Sequence, residues 1–194
     1  MQNSNKTRGT GPLGSSGVIA KWGASSLVES VQFGSTSVTG SNTTADTTIT
    51  AVDYNRSFIL GLGGHNGGVD NWGLRPNIQL LNATTVRATR GYQDGTNSGT
   101  IYWVVVQWIP GVVKSIQYTN LDFSAISNPT ATITSVNTAK TFVSRRGEYY
   151  TNLPGTASYV PDSGIFLLNA TTVQGQTGGA GGGHNGYATV IEFF

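Results

Sequence analysis

The chain reads as an all-β protein: two homologous antiparallel β-sandwich or barrel repeats of about six strands each, preceded by an extended N-terminal arm. Three observations predict this. Several segments occur twice, in the same order, at an offset of about 85 positions. Period-two alternation of apolar and polar residues marks the strands, and no stretch of about ten residues carries helical periodicity.

Residues 1–25 form the arm, rich in Gly, Ser, Thr and Asn and poor in apolar groups. Such a segment buries too little surface to order itself, so a neighbouring subunit is its expected support. Repeat one covers 26–110 and repeat two 111–194, with Pro110-Gly111 as the punctuation between them. Val28-Glu29-Ser30-Val31-Gln32 returns as Val113-Lys114-Ser115-Ile116-Gln117, and Thr48-Ile49-Thr50-Ala51-Val52-Asp53 as Thr132-Ile133-Thr134-Ser135-Val136-Asn137. Arg56-Ser57-Phe58-Ile59 returns as Lys140-Thr141-Phe142-Val143, and Leu80-Leu81-Asn82-Ala83-Thr84-Thr85-Val86 as Leu167-Leu168-Asn169-Ala170-Thr171-Thr172-Val173. Phe58, Leu60 and Leu62 are expected along one face of a strand. Each repeat closes on an apolar strand, 101–109 and then 187–194, which makes the C-terminal segment integral to the second core. In the first of these, Tyr102, Val104, Val106 and Trp108 face one way and Ile101, Trp103 and Val105 the other. A strand apolar on both faces belongs inside a sandwich or against a partner.

Composition narrows the function. Charged residues are 10% of the chain, against roughly 25% in an ordinary soluble domain, and a surface so poor in charge associates readily. The net charge of +2 is spread over scattered Lys and Arg with no basic stripe, which speaks against nucleic acid as a partner. There is no cysteine, so neither disulfides nor thiolate metal sites arise. The apolar run 102–109 is too short to span a bilayer, and membrane insertion is not expected.

The candidate site residues lie where the repeats diverge. Both histidines stand in Gly-Gly-His-Asn-Gly, at His65-Asn66 and at His184. Asn-Gly favours tight turns, so the motif reads first as turn material, next as a ligand or subunit contact and last as a metal site. A zinc site would want a third ligand at recognisable spacing. The glycine clusters 61–68 and 178–183 lead into no Gly-Lys-Ser/Thr helix start, which leaves flexible loop or close backbone packing. Trp72 has no counterpart in repeat two and could stack on a sugar or anchor a partner, against a role in local packing. Arg145, Arg146, Tyr149 and Tyr150 are expected in the matching loop of repeat two. Asp53 returns as Asn137, so its role tolerates loss of charge; turn capping explains that better than acid–base catalysis. No Ser–His–acid spacing stands out. A carboxylate pair for glycoside cleavage, formed only in space, stays open as the lowest-ranked reading.

The four repeated motifs, with a closing strand of the Val190-Ile191-Glu192-Phe193 type, resemble small β-domains in virion proteins of tailed bacteriophages. The likeness covers the two repeats and leaves out the arm. It implies a non-enzymatic structural or adhesive role, without catalytic residues or cofactors, in a particle assembled in the bacterial cytoplasm. The expected partners are copies of the chain and other virion proteins, with a host-surface glycan or receptor as a further one. A tail, baseplate or fibre component is the leading expectation. Head decoration and a receptor- or carbohydrate-binding module are the alternatives.

Overall fold

The computed structural model describes residues 17–18, 27–40, 42–66, 77–90, 98–150, 164–177 and 184–194; of 17–18, 65–66, 148–150 and 184 it describes the backbone. The expected arm therefore lies outside the described residues except for Gly17–Val18. Thirteen strands make up the described fold: β1 (Gly17–Val18), β2 (Val28–Val38), β3 (Thr44–Thr48), β4 (Ser57–Asn66), β5 (Asn77–Asn82), β6 (Thr85–Thr89), β7 (Gly99–Trp108), β8 (Val113–Asp122), β9 (Thr130–Thr132), β10 (Thr141–Tyr150), β11 (Gly164–Asn169), β12 (Thr172–Gln176) and β13 (His184–Phe193). Single 3-10 turns, Tyr54–Arg56 and Thr138–Lys140, lead into β4 and β10. All pairings are antiparallel.

Each repeat is a sandwich of two small sheets. In repeat one, β1-β2-β7-β4 faces β3-β6-β5; in repeat two, β8-β13-β10 faces β9-β12-β11. In both, the first strand pairs with the last, which becomes the centre of its sheet. β1 adds a fourth strand to the first sheet, Gly17 opposite Phe33 and Val18 opposite Gln32. At those two residues the arm pairs with its own chain.

Alternation along the strands builds the cores, because successive side chains point to opposite faces. Ile101, Trp103 and Val105 turn inward to join Val38, Ile59, Ile78, Leu80, Val86 and Ala88. Leu121, Phe123, Ile133, Val136, Val173 and Val190 fill the second core. The expected two-sided character of β7 holds: Val104 is buried on the opposite face, while Tyr102 there is exposed. Gly111, in the joint between the repeats, has φ +82, a conformation that favours glycine.

The strand registers also equate positions that the sequence comparison leaves unaligned. Gly34 faces Trp103 across β2–β7, and Thr119 faces Ala188 across β8–β13. Likewise Ile78 faces Ala88 and Ile165 faces Gly175. A Cβ on Gly34 would stand 2.4 Å from the Trp103 ring, and one on Gly175 2.3 Å from the Phe123 ring. Repeat one thus inserts an indole over a glycine; repeat two has alanine and threonine there and inserts a phenyl ring over a different glycine. Bulk moves from one layer to another while the packed interior stays filled.

Candidate functional site

The repeated motifs meet one another. The Gln32 amide donates to the Thr50 carbonyl (2.9 Å) and accepts from the Thr50 N–H (3.0 Å); Gln117 does the same with Thr134, at 3.0 and 2.7 Å. Asn82 Oδ1 accepts from Thr84 N–H at 2.9 Å, and Asn169 Oδ1 from Thr171 N–H at 2.9 Å, which closes the β5–β6 and β11–β12 hairpins. The hairpin carbonyls then receive the Thr-Ile-Thr segment: Ile49 N–H and Val52 N–H donate to Thr84 and Ala83, Ile133 N–H and Val136 N–H to Thr171 and Ala170. Each such bond is worth about 1 kcal/mol net. The repeated letters encode a hydrogen-bonded knot between sheets.

Asp53 and Asn137 cap the 3-10 turns, their side-chain oxygens accepting from Asn55 and Ala139 N–H at 3.0 Å each. This is the turn-capping role expected of the pair, and it needs an oxygen rather than a charge. Around the caps the charges are rearranged between repeats. Asp53 and Glu29 both pair with Arg56, which holds both carboxyls below their ordinary range. In repeat two the acid is Glu192, at the register position of Gln107, and Lys114 stands at the position of Glu29. Glu192 accepts from the Asn137 N–H and from Lys114 Nζ, both at 2.9 Å, and these contacts hold its carboxyl low.

The candidate residues separate into three groups. His65-Asn66 and His184 are strand residues, not turn residues: His65 lies opposite Thr100 on β7, and His184 opposite Tyr150 on β10. Cross-strand pairing overrides the turn preference of the glycine-rich segment. Gly64 shows how, since a Cβ there would lie 2.5 Å from the Thr100 carbonyl oxygen; glycine there admits a close backbone. The cluster 178–183 lies outside the described residues. Tyr149 pairs with Asn185, so Tyr149, Tyr150 and His184 come together at one end of the second sheet, and His65-Asn66 mark the corresponding end of the first. The side chains of these five lie outside the described residues, as does Trp72 altogether.

Arg145 and Arg146 are likewise on a strand. β10 bulges between Arg145 and Gly147, as β4 does between Gly61 and Gly63, so Arg146 and Leu62 are the extra residues of a duplicated bulge. Gly147 and Gly63 follow with φ +140 and +109, where glycine removes the steric penalty. Arg146 is 5% exposed, so it is not the loop contact that its sequence position implies. Its guanidinium sits over the rings of Tyr118 (5.0 Å) and Tyr187 (5.7 Å). No hydrogen bond reaches its Nε or Nη1 among the described residues. Burial lowers its pKa, yet an arginine stays charged, and desolvated cation–π contacts of this kind are worth about 2 kcal/mol. Burial also pushes the Tyr118 phenol well above its ordinary value.

This cluster belongs to the contact between the repeats. Tyr54 of repeat one meets Tyr118 of repeat two at 5.9 Å between ring centroids. Trp108 stacks on Phe58 within repeat one and meets Phe193 edge-on at 5.5 Å. The signal that could have found it was the pairing of Phe33, Leu62 and Tyr102 with Tyr118, Arg146 and Tyr187 in the internal comparison.

Among the described residues no group of three or more His, Cys, Asp or Glu side chains could hold a metal ion, and no helix is long and apolar enough to cross a membrane. No protein-family model matches the chain, nor does any curated protein or solved structure.

Proposed function

We propose that the protein is a non-enzymatic structural subunit of a tailed-bacteriophage virion, oligomeric and anchored through its N-terminal arm, most readily as a tail, baseplate or fibre component. One observation carries this reading. Side chains fixed in both repeats, Gln32 and Gln117, Asp53 and Asn137, Asn82 and Asn169, are committed to holding strands and turns together. The duplicated part is a frame, as a building block requires. Mass spectrometry of purified particles, followed by reconstruction, tests the proposal: the chain should be present at fixed copy number. Its absence from intact particles would refute the structural role. Residues 1–25 running over a capsid subunit would transfer the chain to head decoration. Deletion of residues 1–16 should abolish incorporation and spare folding; normal incorporation would overturn the anchor.

A further inference from the structure

The contact between the repeats is one-sided. Repeat one offers its flank, the Tyr54–Arg56 turn with β4 and β5, and repeat two receives it on the outer face of β8-β13-β10. β10 lies against β4 and β5, and β8 against the Tyr54–Arg56 turn. A twofold relation would add β4 on β11 and β2 on the Thr138–Lys140 turn. Neither packing is made to that extent. The arrangement is therefore heterologous, in which one unit's flank meets the next unit's face.

Such a contact leaves one face and one flank over, and both are apolar here. The receiving face is built from Tyr118, Arg146 and Tyr187; its register equivalents in repeat one are Phe33, Leu62 and Tyr102. Arg146 is 5% exposed, whereas Phe33, Leu62 and Tyr102 are 39, 56 and 46% exposed. On the flank, Phe166 and Leu168 of β11 are 40 and 51% exposed, where the equivalent strand β5 lies against β10. The covered face and the covered β5 flank each have exposed apolar residues at their counterpart in the other repeat.

We infer that the chain associates head to tail with a second copy of itself, the β11 flank of one copy seating on the Phe33–Leu62–Tyr102 face of the next, as the β5 flank of repeat one seats on repeat two. The intrachain contact is the template for this occupant, since it places the same two surfaces of the same unit together. The second contact is quasi-equivalent, not identical. Leu62 removes the guanidinium that Arg146 supplies on the face, while Arg145 brings one to the flank at the position of Gly61; Thr138 replaces Tyr54. Repetition of such a contact closes a ring when its rotation divides a full turn and otherwise runs into a filament. The inference specifies the self-association within the proposed virion role and rests on that role no further.

Sedimentation of the full chain tests it, using one exposed substitution on each surface. The unaltered chain should sediment as a multiple of 20.3 kDa. Leu62→Asp on the face and Leu168→Asp on the flank should each sediment as single chains with unchanged circular dichroism. Mixed in equal amounts they should form a dimer, because the first keeps a sound flank and the second a sound face. A monomeric unaltered chain overturns the inference, and so does an assembly that survives both substitutions, as one held by the arm would. A mixture that stays monomeric overturns it too, which is the outcome of a twofold self-contact. Failure here leaves the virion role open, since that is read on particles.

Discussion

Repeat one and repeat two share a frame down to the bulge in β4 and β10, yet they fill and charge it differently. Repeat one places Trp103, with its Nε1–H donating to Thr36 Oγ1 at 3.0 Å, above Gly34. Repeat two has Ala188 there and packs Phe123 above Gly175. Backbone hydrogen bonds and side-chain clamps fix the strand order, while the large ring can move if the residue facing it shrinks. Compensation between layers is thus written twice in one chain, as Trp/Gly against Ala/Thr and as Val38/Ala88 against Phe123/Gly175.

The sharpest way to break the comparison is Trp103→Ala. It removes the largest fully buried side chain and leaves a cavity that Gly34 cannot fill, for an expected loss of about 3–5 kcal/mol in chemical denaturation. Ala188 tolerates the same place in repeat two only because Thr119 faces it, so a loss under about 1 kcal/mol would show that the two cores are interchangeable. Gly175→Ala drives a methyl group into the Phe123 ring and should cost about 1–3 kcal/mol. Adding Phe123→Val reproduces the Val38/Ala88 pair of repeat one, and the double variant should be more stable than the sum of its single changes. Strict additivity there would sink the claim of compensation.

Gln32→Leu severs both bonds to Thr50 and should cost about 1–2 kcal/mol. Gln117→Leu, at a more exposed position, should cost less; the reverse order would mean that the clamps are not equivalent. Glu192→Gln, which copies Gln107, should lower the melting temperature least. Its effect depends on pH with a definite sign. A carboxyl held below its ordinary value of 4.5 contributes stability that is full above that pH and lost as pH falls through the folded value. The difference between the chain and this variant should therefore be largest near neutrality and shrink in acid.

The six strands of each repeat were legible in the sequence because alternation and duplicated motifs point the same way at Val31, Phe33, Ile116 and Tyr118. The turn caps were legible because Asp53 and Asn137 share only an oxygen acceptor. The bulge was not, since nothing local distinguishes Leu62 or Arg146 from regular strand residues; the partner strand imposes the extra residue. The same pairing turned His65-Asn66 and His184 from expected turn residues into strand ends. Arg146 illustrates the limit best, because a charged residue inside a polar segment reads as surface until the rings of Tyr118 and Tyr187 are placed beside it.

The central strand of each principal sheet is the last one of its repeat, and this shapes how the chain is made. While β7 is still to be synthesised, β2 and β4 have no strand between them, and both present bare backbone edges. Val38 must then find Gly99 and Val28 must find Trp108, contacts remote along the chain that folding reaches slowly. Emergence of β7 from the ribosome is thus the event that converts an aggregation-prone set of edges into a closed unit. Repeat two meets the same hazard at β13, with one difference: a finished repeat one is already there to shelter its exposed aromatic face.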